Sequence, residues 1–148
     1  IALEDLCEDN GPLLVIPGSH LGPVYDHHVE GTFCGAIGAS EVTDLVQKSV
    51  ALTGPAGSVT IHHARTIHGS AMNRSDRSRP LLLIGYAAAD AWPLMGVSDF
   101  DTFNDYLVCG DECLTPRLQE VPVRMPLPSA TFQGSIYENQ RTLSERAF

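Results

Sequence analysis

The segment 57–79 holds the side chains of this sequence that are best suited to chemistry. It contains three of the six histidines and four of the nine basic residues. A neutral imidazole can bind a divalent metal, and a guanidinium can hold an anion such as a carboxylate. Because these groups are concentrated within an otherwise apolar stretch, the segment predicts a functional site.

His68 is the candidate metal ligand of this segment. It stands at the predicted end of a strand, directly before Gly69, where a side chain projects into the mouth of a barrel. A neutral histidine in that position can bind a divalent metal. The alternative, a histidine that is only hydrogen-bonded within the fold, stays open when His68 is considered alone.

Arg79 is the candidate anion-binding residue. It follows His68 by 11 residues, so a strand, a loop and a returning strand would bring both side chains onto one face. The leucine run that follows predicts a partly buried guanidinium, which needs an anionic partner because an unpaired buried charge is costly. That partner is either a dicarboxylate ligand, held by a bidentate pair, or a structural salt bridge to Asp76 or another acidic residue.

The neighbouring histidines are assigned by the alternation of a strand. Strict alternation puts His62 on the same face as His68 and His63 on the other face, although a single β-bulge would reverse this. Adjacent residues of a strand point to opposite faces, so His62 and His63 cannot both bind one ion. Both are therefore expected to line or pack the site.

The elements that must position these residues are mostly short strands. Strands are predicted over residues 13–16, 49–52, 58–67 and 81–88. One or two short helices are predicted, over residues 41–48 and 98–108. Because strands dominate and do not alternate with helices, the pattern predicts a mostly β fold, a jelly roll or cupin-like barrel.

The composition describes an ordinary globular chain of one domain. Its 148 residues are expected to form core strands over 1–90, followed by a helix and a proline-rich tail that wraps the domain over 91–148. The loop 21–57 and that tail are the candidates for a substrate lid. The formal charge of −9 argues against nucleic acid as a partner. No apolar run nears the ~20 residues that span a bilayer, and four scattered cysteines indicate reduced thiols, so a cytoplasmic protein without a membrane partner is expected.

Two segments resemble the signatures of the phytanoyl-CoA dioxygenase family. The segment 10–20, NGPLLVIPGSH, resembles N-G-x-L-x-V-x-P-G-S-H in that family. The segment 57–70, followed by Asn73, Ser75 and Arg79, resembles its second signature. The resemblance covers about residues 1 to 90, and the segment 133–140 is similar to the tail of some bacterial members.

The resemblance implies a double-stranded β-helix that holds iron(II) in a 2-His-1-carboxylate triad, with 2-oxoglutarate as co-substrate and O₂ as oxidant. It implies that His68 is the distal histidine ligand and the catalytic residue of this segment. It further implies that Arg79 pairs with the far carboxylate of 2-oxoglutarate and that Ser70 hydrogen-bonds the co-substrate nearby. The implied activity is hydroxylation of a small molecule, coupled to decarboxylation of 2-oxoglutarate to succinate.

The sequence departs from the family at the other two ligands. The family's H-x-D motif lies upstream of the segment with which this chain begins, and Ile1 stands where no methionine opens the chain, so an N-terminal truncation is expected. His28-Val29-Glu30 is an H-x-E, but it follows the first signature and is taken as chance. One ligand cannot hold iron, so the chain as given is predicted to be inactive. Two alternatives remain: a halogenase with a small residue in place of the carboxylate, and a non-catalytic cupin-like binding module.

Overall fold

The structure, a computed structural model, describes residues 1–132 and 135–144. Its strands are β1 (Leu13–Val15), β2 (His28–Val29), β3 (Thr32–Phe33), β4 (Val50–Leu52) and β5 (His68–Ser70). Its α-helices are α1 (Ala39–Val46), α2 (Phe100–Asn104) and α3 (Ile136–Gln140), and Ser19–Leu21 forms a 3₁₀ turn. The described chain is thus β-rich with a few short helices, as predicted. None of its described helices is long and apolar enough to cross a membrane.

The chain divides into two compact units. The first comprises Ile1–Leu82 together with the tail from Val121, and the second comprises Leu83–Glu120. All five described strands lie in the first unit, together with α1 and α3, whereas α2 lies in the second. Every residue that the sequence singled out for chemistry therefore belongs to the first unit.

The main sheet of the first unit has three antiparallel strands in the order β4-β1-β5. In its register Val15 lies opposite His68 and Leu13 lies opposite Ser70. The chain enters β1 through Gly11, whose φ is +80° and at which a Cβ would lie 2.9 Å from the Ala71 carbonyl oxygen. Only glycine fits this close approach of two backbones without strain. The Asn-Gly pair of the first signature thereby sets β1 against β5.

Strands β2 and β3 form a separate two-stranded hairpin. Glu30 and Gly31, which connect them, have φ values of 52° and 78°. Two consecutive residues with positive φ are typical of a type I′ turn, whose twist matches that of the flanking strands. The H-V-E tripeptide of the sequence is therefore the beginning of a tight hairpin.

The core of the first unit lies directly behind β5. Ile16, Ile37, Val42 and Ile67 are buried together, and α1 contributes Val42, which has no exposed surface. The Ile16 amide donates a hydrogen bond to the Ile67 carbonyl oxygen at 2.9 Å, so the ends of β1 and β5 are joined over this cluster. Because Ile67 immediately precedes His68, the packing of the core positions the candidate ligand.

Two predicted strands are absent from the described residues. Residues 58–67 are irregular, with a turn at 64–66, and only His68–Ser70 is a strand. In 81–88 the single ladder contact is the bridge between Leu81 and Ala2, and Leu83 is 82% exposed. Apolar and β-branched residues favour a strand only where a neighbouring strand supplies its hydrogen bonds. Both predictions were wrong: the backbone of residues 1–3 bonds to Ser58 and to Pro80 and Leu82, but in the described part of the chain these contacts do not extend into a continuous ladder.

The second unit contains a shorter helix than its sequence predicts. The Asp99 side chain caps α2 by accepting a hydrogen bond from the Thr102 amide at 2.8 Å, and this bond lowers the pKa of Asp99. Phe100 and Phe103 both pack against Trp92, with ring centroids 5.9 Å apart in each pair. Helix α2 ends at Asn104, before Tyr106, whose side chain is exposed.

Candidate active site

His68 lies at the start of β5 with an exposed imidazole. Its Nδ1 is 2.7 Å from the carbonyl oxygen of Thr66. Because a carbonyl can only accept, Nδ1 carries the proton and Nε2 of the neutral ring keeps its lone pair. A backbone hydrogen bond of this kind orients histidines that bind metals through the other nitrogen. His68 is therefore held in the tautomer that a metal ligand requires.

Ser70 and Arg79 meet on the same side of β5. Ser70 is two residues from His68, so alternation places the two side chains on one face, roughly 7 Å apart along the strand. Arg79 donates a hydrogen bond from Nη2 to the Ser70 Oγ at 3.1 Å. The structure thus brings all three predicted site residues together: His68 and Ser70 lie in β5, and Arg79 bonds to Ser70. Arg79 itself lies in an irregular segment and not, as predicted, at the start of a strand.

The guanidinium of Arg79 is only partly satisfied. The side chain is half-buried, and its Nη1 is enclosed without a hydrogen-bond partner among residues 1–132 and 135–144. No carboxylate of the described residues pairs with it, so the salt bridge to Asp76 that the sequence allowed is not formed there. An enclosed donor without an acceptor is costly, and a bound carboxylate would supply the acceptor.

The other histidines of the segment fall into two separate pairs. The ring of His62 lies 5.1 Å from that of His68 between centroids, and the ring of His63 lies 5.8 Å from that of His20. The His63 Nδ1 accepts a hydrogen bond from the Arg65 amide at 3.0 Å. His62 is thus the neighbour of His68, as the alternation argument predicted, although a turn at 64–66 and not a strand produces the arrangement.

A cavity of about 200 Å³ opens beside His68. Its polar lining residues are Tyr25, His27, Arg65, Thr66 and His68. Its apolar wall includes Ile37 and Ile67 of the core, and much of the wall comes from the loop 21–57. The sequence had singled out neither Arg65 nor Tyr25. The sequence signal that could have identified Arg65 as a site residue is its position, three residues before the candidate ligand His68. No local sequence signal identifies Tyr25 as a site residue.

A charged cluster links the hairpin to the tail. Asp26 accepts hydrogen bonds from Arg124 Nη1 at 2.7 Å and from both the backbone amide and the ring Nδ1 of His28. Desolvation raises the pKa of Asp26, but these hydrogen bonds and the positive charge of Arg124 outweigh it and lower the pKa to about 2. The cluster therefore keeps Asp26 ionised and, within the first unit, joins the tail at Arg124 to the segment that leads into β2.

The H-x-E tripeptide does not form a metal site in this arrangement. The His28 Nδ1 is engaged by Asp26, and the Glu30 carboxylate accepts hydrogen bonds from the amide and hydroxyl of Ser144. Within the described part of the chain, no three histidine, cysteine, aspartate or glutamate side chains converge as a set of metal ligands. The tail segment 133–140, which resembles the tail of some bacterial family members, begins with Gln133 and Gly134, and these two residues lie outside the described part of the chain.

Comparison with known proteins identifies the chain's relatives. The family model described as Phytanoyl-CoA dioxygenase (PhyH) matches residues 1–81. The chain is 44% identical over 153 residues to a protein of Stutzerimonas stutzeri named "Probable alpha-ketoglutarate-dependent hypophosphite dioxygenase", covering 100% of this chain and 53% of that protein. It is 35% identical over 112 residues to the L-proline trans-4-hydroxylase of Streptomyces griseoviridis, covering 58% of this chain and 38% of that protein.

The chain spans about half the length of the first of these relatives and less of the second. No solved structure matches it with statistical significance. The family model covers more than half of the 148 residues and includes both segments that resemble the family's signatures up to Arg79. The chain therefore belongs to the phytanoyl-CoA dioxygenase family, a family of 2-oxoglutarate-dependent oxygenases whose cofactors are iron(II), 2-oxoglutarate and O₂.

Proposed function

We propose that this chain is part of an iron(II)- and 2-oxoglutarate-dependent dioxygenase that hydroxylates a small molecule. The observation that carries the proposal is the arrangement along β5. His68 presents Nε2 there with its lone pair available, and Arg79 is joined to the same strand face by Ser70, with its Nη1 lacking an acceptor among the described residues. A metal ligand beside an anion-binding arginine is what a chelating keto acid requires.

The residues have separate roles. His68 would hold the iron through Nε2, while the Thr66 carbonyl oxygen keeps the ring oriented. Arg79 would pair with the far carboxylate of 2-oxoglutarate, and Ser70 would orient the guanidinium and approach the co-substrate. When bound, iron with 2-oxoglutarate and O₂ supplies the oxidising chemistry that the side chains lack. The protein's own contribution is to bind, orient and shield the reactants.

On this proposal the chain supplies one of the three protein ligands. A facial triad needs a second histidine and a carboxylate. We place both in sequence outside these 148 residues, and we expect the chain alone to be inactive. The two sheets of the first unit would then contribute to the double-stranded β-helix of the family. The loop 21–57, which lines the cavity, would form part of the substrate lid.

Hydroxylation is better supported than halogenation. The two relatives carry the names of a dioxygenase and a hydroxylase. The available lone pair of the His68 Nε2, and an Arg79 Nη1 that has no acceptor within residues 1–132 and 135–144, also argue against a binding module from which the metal site has been lost. We expect the enzyme to be cytoplasmic and to act on a small molecule.

Succinate release from 2-oxoglutarate tests the proposal in the protein expressed from its complete gene. His68→Ala should abolish iron-dependent succinate formation and weaken iron binding, because the ring nitrogen is lost. The matched control is His63→Ala, which removes a neighbouring histidine that pairs with His20 and not with His68. Succinate formation at the wild-type rate in His68→Ala, or a complete gene without a histidine-x-acid motif before Ile1, would refute the hydroxylase.

A further inference from the structure

We infer that Arg65 binds an anionic group of the substrate in the cavity beside His68, so that the substrate is a small anion or a small molecule with one anionic group. The inference rests on the proposed function, because it is the iron at His68 that makes this cavity a reaction site. It adds Arg65 as a second anion-binding residue, beside Arg79, which we propose binds 2-oxoglutarate. Arg65 lines the cavity together with Tyr25 and His68.

The backbone holds Arg65 firmly. The Arg65 amide donates to the His63 Nδ1 at 3.0 Å, and the Thr66 amide donates to the His63 carbonyl oxygen at 2.9 Å. The Thr66 carbonyl oxygen in turn orients the ring of His68. Arg65 thus lies in the turn whose Thr66 carbonyl oxygen orients His68, so the positions of Arg65 and His68 are linked.

The guanidinium of Arg65 has an unused donor. Its Nη2 donates to the Gly22 carbonyl oxygen at 2.5 Å, while its Nε is enclosed and has no partner within residues 1–132 and 135–144. No described carboxylate forms an ion pair with it. A half-buried cation without a counter-ion is costly, and an anion in the cavity would supply the missing counter-ion to the guanidinium.

Two arginines near His68 share this property. Among the described residues, Arg65 and Arg79 each have one enclosed nitrogen without an acceptor. Arg79 is joined to Ser70 and is not among the residues that line the cavity, whereas Arg65 lines the cavity and bonds to the Gly22 carbonyl oxygen. If 2-oxoglutarate pairs with Arg79, Arg65 needs a different anion as its partner. Of the organic reactants only the substrate is then left to supply that anion.

The cavity that this chain forms is small. Its volume of about 200 Å³ is below the ~300 Å³ at which pockets for drug-sized ligands begin. Tyr25 can add one hydrogen bond through its hydroxyl, and Ile37 and Ile67 supply an apolar wall. A molecule of a few heavy atoms, with its anionic group at Arg65 and its reacting atom toward His68, matches this lining.

Two kinds of small molecule have this chemistry: a free oxyanion such as hypophosphite, and a small amino acid whose carboxylate is the anion, such as proline. Calorimetric titration of the complete-gene protein without iron, first with hypophosphite and then with L-proline, separates them. One of the two should bind, and Arg65→Gln should weaken that binding about 10-fold or more, because a charge-assisted hydrogen bond is lost. Absence of binding by both at millimolar concentration, or equal affinity in wild type and Arg65→Gln, overturns the inference.

Arg77→Gln is the matched control, because it makes the same change of charge at an exposed residue whose partner, Asp9, lies 3.9 Å away on the surface. Its anion affinity should equal that of the wild type. Equal weakening in Arg77→Gln and Arg65→Gln would reduce the effect to net charge and overturn the role of Arg65.

A second variant covers the case in which loss of the Arg65–Gly22 bond unfolds the protein, as judged by circular dichroism. Ala64→Asp adds a negative charge to the cavity lining and leaves that bond in place. It should also weaken anion binding about 10-fold, and unchanged affinity would count against the cavity. If the wild-type protein forms no succinate, the proposed enzyme activity is refuted. If it forms succinate but neither Arg65→Gln nor Ala64→Asp changes its anion affinity, only the inference about Arg65 is refuted.

Discussion

Arg79→Lys is the most informative change in the candidate site. The arginine uses Nη2 for Ser70, at 3.1 Å, and keeps Nη1 enclosed and without an acceptor among the described residues. A lysine retains the charge but offers a single nitrogen, which cannot both hold Ser70 and form a planar, two-bond pair with a carboxylate. The variant therefore separates the geometry of the guanidinium from its charge.

The expected size of the effect follows from the hydrogen bond that is lost. A hydrogen bond to a charged group contributes about 1.5 to 3 kcal/mol. Since 1.4 kcal/mol corresponds to a factor of ten, loss of one such bond raises the KM for 2-oxoglutarate about 10- to 100-fold. The effect on kcat is expected to be smaller, because in the proposed role Arg79 would position the co-substrate and would hold no reacting atom.

Succinate formation, measured against 2-oxoglutarate concentration with iron in excess, gives kcat and KM separately in the complete-gene protein. Arg77→Lys provides the control, because Arg77 is exposed and forms only a surface ion pair with Asp9. If the KM for 2-oxoglutarate in Arg79→Lys equals that of the wild type and of Arg77→Lys, Arg79 does not bind the co-substrate.

Three further predictions concern the first unit itself. Asn10→Ala should lower the free energy of unfolding by about 2 kcal/mol in urea denaturation, because Asn10 is buried and its side chain bonds the Cys7 amide and the Asp5 carbonyl oxygen; an unchanged midpoint would contradict this. Val42→Ala should cost about 2 kcal/mol in the same assay, since it removes two fully buried methyl groups from the core. Arg124→Gln should return the pKa of Asp26 from about 2 toward 3.8 in a carboxyl NMR titration. Because the pKa is depressed in the folded state, the stability that Arg124 adds is present above pH 4 and is lost as the pH falls through about 2; an equal pKa in both proteins would refute the pairing.

Local signals in the sequence were sufficient for several elements. The apolar run at 13–16 and the short run at 49–52 predicted β1 and β4, and the short helix predicted at 41–48 overlaps most of α1. Each of these has a partner nearby in the first unit, so its pattern and its tertiary surroundings agree. Strands at 58–67 and 81–88 were predicted from the same kind of pattern and were wrong, because a strand also needs a neighbour and the pattern does not show whether one exists.

The candidate site divides in the same way. The sequence by itself determined the family and pointed to His68, Ser70 and Arg79, because residue types and their spacing are properties of the chain alone. Only the tertiary structure decided that Arg79 bonds to Ser70 and that Arg65 lines a cavity beside His68. The physical reason differs between the two. The Arg79–Ser70 bond spans only nine residues but depends on the path of an irregular loop, which residue types do not fix. Arg65 reaches Gly22, 43 residues away, and no local pattern encodes that approach.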